Sequence, residues 1–97
     1  MKILGDRHYI ADPGETITFK SSGQTGVGSI AVSGASSNRL PATVTGGGHH
    51  VIAITATFTG DDGGRVGLDI TGQTGSDSST LRQLTGLPIR TGVFFFD

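Results

Sequence analysis

Val51-Ile52-Ala53-Ile54-Thr55-Ala56-Thr57-Phe58-Thr59 alternates between two kinds of side chain. Ile52, Ile54, Ala56 and Phe58 fall on one face of an extended chain, and Thr55, Thr57 and Thr59 fall on the other. A period of two belongs to a half-buried β-strand. The next five residues, Gly60-Asp61-Asp62-Gly63-Gly64, have the chemistry of a turn, because Gly and Asp tolerate positive φ. Arg65-Val66-Gly67-Leu68-Asp69-Ile70-Thr71 then alternates again, with Val66, Leu68 and Ile70 inward. Two alternating runs about a short Gly/Asp loop predict a β-hairpin.

The same rhythm continues outward in both directions. Thr16 to Lys20 turns Ile17 and Phe19 inward, and Ser29 to Ser33 does so with Ile30 and Val32. Leu40 to Thr45 carries Pro41, which belongs on an edge strand. Arg7 to Ala11, Ser79 to Leu84 and Gly92 to Asp97 complete the set. The expectation is a single antiparallel β-sandwich over residues 1–97, immunoglobulin-like, with seven or eight short strands, no cysteines and no helix. Ile17, Phe19, Ile30, Val32, Ile52, Ile54, Phe58, Val66, Leu68 and Ile70 should form its core. Gly23-Gln24-Thr25-Gly26 and Gly72-Gln73-Thr74-Gly75 are identical tetrapeptides, read as two polar turns rather than as an internal repeat.

Composition narrows the chemistry. The 97 residues carry 17 Gly, no Cys and a formal net charge of −1. Without cysteine there is no disulfide and no thiol nucleophile or ligand. With 15% charged residues and no basic excess, nucleic acid is not an expected partner. No apolar run is long enough for a membrane-spanning helix, so no membrane insertion is expected. Met1-Lys2-Ile3-Leu4 is too short an apolar start for a secretory signal, so the chain is expected in the cytoplasm or exported by a non-classical route.

Pro13-Gly14-Glu15-Thr16-Ile17-Thr18-Phe19 resembles the opening of bacterial immunoglobulin-like modules of the PKD-like kind, in which a Pro-Gly turn leads into a long core strand. Ile52 to Thr59, the Asp-Gly turn and Val66 to Thr71 are similar to the central hairpin of the same modules. The Trp and Phe-Gly-Asp-Gly signature of PKD domains is absent. The resemblance implies a sandwich that serves as a spacer, adhesive unit or binding module, and it brings no catalytic residue.

Asp61, Asp62 and Asp69, with Asp77 nearby, offer carboxylate oxygens of the kind calcium takes. Their spacing does not match an EF-hand, and a solvated turn is the competing reading; no other cofactor is expected. His49 and His50 are adjacent, so they face opposite sides of a strand and do not chelate one ion unaided; His8 is the remaining histidine. The chain has no G-x-S-x-G or H-E-x-x-H motif and a single Glu, so an enzyme is not expected. The tail Val93-Phe94-Phe95-Phe96-Asp97 places bulky apolar side chains on both faces of one strand. Either another part of the domain, around Leu4 and Tyr9, covers the outer face, or a partner does. The leading expectation is therefore a non-catalytic binding or assembly module. It would engage a protein partner or itself, as a homo-oligomer, through a sheet edge or through Phe94, Phe96, Val93 and Tyr9. The alternative is a small carbohydrate-binding protein that takes a glycan with loop Asp, Asn38 and Gln side chains, assisted by calcium. A third class is an enzyme inhibitor that presents the Gly46 to His50 loop.

Overall fold

The computed structural model describes residues 1–97. Nine strands form and no helix does: β1 Lys2–Gly5, β2 His8–Ile10, β3 Thr16–Thr25, β4 Val27–Ser33, β5 Ala42–Thr45, β6 His50–Phe58, β7 Arg65–Thr71, β8 Ser76–Arg82 and β9 Ile89–Phe96. They make a five-stranded sheet, β1-β2-β9-β6-β4, packed on a four-stranded sheet, β5-β3-β7-β8. The β-sandwich expected from the alternation is present.

Its wiring differs from the hairpin reading. β6 and β7 lie in different sheets, so Gly60 to Gly64 is an arch that crosses the sandwich. Ile52, Ile54, Ala56 and Phe58 therefore face Val66, Leu68 and Ile70 across the core instead of lying beside them. Period-two alternation specifies which side chains turn inward, and both arrangements satisfy it. Gln83 holds the arch, accepting from the Gly64 N–H at 3.1 Å and donating to the Gly60 carbonyl at 2.6 Å. The central hairpin quoted for the immunoglobulin-like resemblance is thus not formed.

Six of the eight connections cross between the sheets; only β1–β2 and β7–β8 are hairpins. The ladder is antiparallel with one exception, β2 on β9, which runs parallel with His8 opposite Phe95 and Tyr9 opposite Phe96. β2 leaves directly for the other sheet, so no tight turn dictates its direction relative to β9. Gly23 to Gly26 is not a free turn. β3 runs through to Thr25, and Gly26 alone, at φ 65°, makes the corner into β4. Gly72 to Gly75, with the same letters, is the β7–β8 loop. β1 extends the strand count beyond the seven or eight expected, because Lys2–Gly5 is exposed along its length and shows no alternation.

Eighteen buried residues form one core. Nine of the ten residues expected inside are there; Ile30, on edge strand β4, is only half-buried. Phe19 meets Phe94 and Phe96 edge-on, with ring centroids 5.4 and 5.8 Å away, a favourable aromatic geometry. Arg7 occupies the β1–β2 turn at φ 57°, a conformation that a long side chain rarely adopts. Its guanidinium lies 5.3 Å from the centre of the Phe94 ring and donates to Ser79 Oγ and the Thr80 carbonyl, tying that turn to β8.

Candidate interaction surface

The C-terminal strand sorts its three phenylalanines differently from the expectation. Phe94 and Phe96 are 0% and 1% exposed, and Tyr9 is 1% exposed. All three belong to the core and are not available to a partner, which corrects their assignment to an interface. The opposing sheet covers them, Phe19 supplying the contact; the N-terminal segment helps through Tyr9, stacked on Phe96 with centroids 4.9 Å apart. The Tyr9 hydroxyl donates to Asp77 Oδ2 at 2.7 Å. Burial first, and then the Asp77 hydrogen bond and charge, push that phenol well above its ordinary range. Phe95 is the ring that faces out, 39% exposed, and Val93 shares its side, half-buried.

Register places the neighbours of Phe95. His8 on β2 and Val51 on β6 are its cross-strand partners. The His8 ring stacks on it at 4.8 Å, held by donation from Nδ1 to the Asp6 carbonyl at 2.7 Å. Successive rows along the face are Val93 with Ala53, Thr91 with Thr55, and Ile89 with Thr57. The eight outward positions of β6 and β9 thus hold no charged residue. Val51 is 55% and Ile89 58% exposed. Leu4 and Ile10 extend the apolar area toward β1.

The sheet edges are managed unequally. Asn38 accepts from the Val32 N–H at 2.9 Å, so the β4–β5 loop covers part of the β4 edge. β5 is a four-residue edge strand preceded by Pro41, as expected. Arg7 caps β8 at Thr80. β1 has no comparable cover, and Ile3 and Leu4 are both about half exposed.

The aspartates do not assemble. Asp61 and Asp62 sit in the arch, where Asp62 accepts from Gly63 N–H and the Thr85 hydroxyl. Asp69 lies on β7, on the outer face opposite Lys20 and Ser78, and Asp77 holds Tyr9. No group of three or more His, Asp or Glu side chains is placed to hold one ion, so the expected calcium set Asp61, Asp62 and Asp69 is corrected. Two aspartates on a loop and a third several residues along a straight strand diverge as the strand extends. His49 pairs with Asp97, and His50 donates to the Gly47 carbonyl at 3.2 Å. Asn38 is on the β4–β5 loop, and Gln83 is held inside the arch by the backbone of Gly60 and Gly64.

Sequence reasoning missed Glu15, the chain's only glutamate, which is buried. Its carboxylate accepts from the Met1 amino group at 2.9 and 2.8 Å. It also accepts from the N–H groups of Asp12, Gln73 and Thr74 at 3.0, 2.8 and 3.1 Å, and from the Thr74 hydroxyl. The ammonium contact, then the Asp12 N–H, and lastly the Thr74 donors outweigh burial and hold its pKa down at about 2. With this many donors it has no free lone pair for a substrate, and it acts as a pin between β1, β3 and the β7–β8 loop. The available signal was its solitude: one Glu in a chain short of acids. Compared with protein-family models, curated proteins and solved structures, the chain matches none of them.

Proposed function

We propose that the chain is a non-catalytic assembly module that binds protein, and first a second copy of itself, through the outer face of its five-stranded sheet. One observation carries this reading. Phe95 is fixed upright by His8, beside Val51, on a face whose two central strands present no charge. An exposed aromatic with aliphatic neighbours and a Thr/Ser surround has the composition of an interaction patch. Two copies that meet about a two-fold axis on β6 and β9 set no like charges against each other; Lys2, opposite Ile10, lies at the β1 margin. The three histidines bond two carbonyls and Asp97.

The test is sedimentation velocity of the native chain and of Val51→Lys, from micromolar to about 1 mM, where an association of only about 4 kcal/mol still shows. Val51 points to solvent, so the lysine leaves the monomer folded and sets an ammonium at the contact. A mass that rises with concentration for the native chain and stays monomeric for the variant supports the proposal. A native chain that is monomeric throughout, or a variant that associates equally, overturns self-assembly through this face.

A further inference from the structure

The outer face of the four-stranded sheet differs in character from the surface around Phe95. Arg65 on β7 and Arg82 on β8 are direct cross-strand partners, with Thr25 of β3 on the far side of Arg65. Like charges set directly opposite destabilise a sheet unless something compensates them. Nothing in the chain does so. The two ion pairs of the molecule are Met1 with Glu15 and His49 with Asp97, and neither guanidinium makes a hydrogen bond to another residue. Asp69, the next carboxylate along this face of β7, is four residues away, about 13 Å along the strand.

One row in from the arginines, two of the three positions are glycine. Gly23, Gly67 and Thr80 are aligned across β3, β7 and β8. A Cβ at Gly67 would come within 2.4 Å of Ser22 Oγ and would push that hydroxyl aside, where β3 bulges between Ser21 and Gly23. The result is a groove of about 350 Å³ with a backbone floor and the two guanidinium groups at one end. That volume is at the small end of ordinary ligand sites. Gln83, by clamping the arch, fixes the point at which β7 starts and so positions Arg65.

The lining selects the ligand. No apolar or aromatic side chain contributes, so there is nothing to hold an aliphatic group or to stack a nucleobase. Two planar, permanently charged forks suit a carboxylate or a sulfate, each of which accepts bidentately. The hydroxyls of Ser22, Thr25 and Thr80 offer donors and acceptors for neutral hydroxyl groups. We propose that the Arg65–Arg82 groove binds an acidic saccharide, seating a uronate carboxylate or a sulfate ester on the arginine pair and the sugar hydroxyls over the glycine floor. The site is on the sheet opposite the assembly face and stands independently of it.

Calorimetric titration of the full chain tests this with polygalacturonate, heparin, neutral dextran, sodium sulfate and an oligothymidylate. The variants are Arg65→Gln, Arg82→Gln and Gly23→Val. A Cβ at Gly23 meets no atom within 4 Å, so the valine fills the groove while the fold and both charges remain. Expected are binding of polygalacturonate (the carboxylate) or heparin (the sulfate), none to dextran, weakening with salt, and at least a tenfold loss in each variant. Arg82→Gln is also expected to melt no lower than the native chain, since it relieves a like-charge pair. The proposal is overturned if neither acidic polymer binds or if the variants bind as well as the native chain. It is equally overturned if sodium sulfate binds as tightly as the polymers, or if the oligothymidylate is preferred.

Discussion

Phe94→Ala and Phe95→Ala differ by one position and should differ widely in effect. Phe94 is 0% exposed, lies edge-on to Phe19 and sits beneath the Arg7 guanidinium. Truncating it removes a fully buried ring and leaves a cavity between two sheets, at a cost of about 3–5 kcal/mol. Phe95 keeps 39% of its surface in water and has His8 on one side. Its truncation opens no enclosed void and forgoes only part of the transfer energy, about 1–2 kcal/mol. In a domain of this length each kcal/mol is worth about 4–8 °C in Tm, so the two variants should melt at least about 4 °C apart, with Phe94→Ala lower. Urea titration followed by the fluorescence of Tyr9, the only Tyr in a chain without Trp, gives the same comparison in free energy. Equal losses, or a larger loss at Phe95, would mean that β9 is displaced by one residue and that its faces are exchanged. Both the core and the proposed assembly face would then be wrong.

Glu15 makes the fold acid-sensitive. Its pKa falls from 4.5 to about 2 on folding, so its contribution is complete above about pH 4.5 and is lost as pH drops toward 2. The stability gap between the native chain and Glu15→Gln, measured as urea midpoints, should shrink across that window; a gap equal at pH 2 and pH 7 would refute the pin. Strand pairing can be tested with cysteines. Thr55 and Thr91 are cross-strand partners with hydroxyls 3.0 Å apart, so Thr55→Cys with Thr91→Cys should oxidise readily to an intramolecular disulfide. Thr55→Cys with Asp69→Cys, neighbours only if β6 and β7 formed a hairpin, should stay reduced, and cross-linking of that pair would contradict the arch.

The alternation made the inward faces legible and left the partners illegible. Ile52 and Val66 are both inside, as expected, yet nothing within residues 50–71 says whether they are side by side or face to face. The deciding contact comes from Gln83, far along the chain, whose amide satisfies the backbone of the arch. The phenylalanine run posed the same problem. Its two faces were readable, but the buried one was chosen by Phe19, 75 residues away from Phe94. β3 was read five residues too short, because Ser21 to Thr25 is polar while its ladder to β7 continues to Arg65. The arginine groove was hidden for a related reason. Arg65 and Arg82 become neighbours only through the β7–β8 register, and Gly23 and Gly67 align only because β3 carries a bulge.

The position of β9 has a consequence for how the molecule comes into being. It is the final strand of the chain, yet it occupies the middle of its sheet, between β2 and β6. β6 ends at Phe58 and β9 begins only at Ile89, so while the chain grows from one to the other β2 and β6 each have a bare edge with nothing between them. The gap closes only when this keystone segment slots in, completing the layer and sealing Phe94 and Phe96 inside. A chain that lacks β9 is therefore open to capture by its neighbours, because the vacant slot leaves two unpaired strand edges that a donated strand from another molecule can pair with.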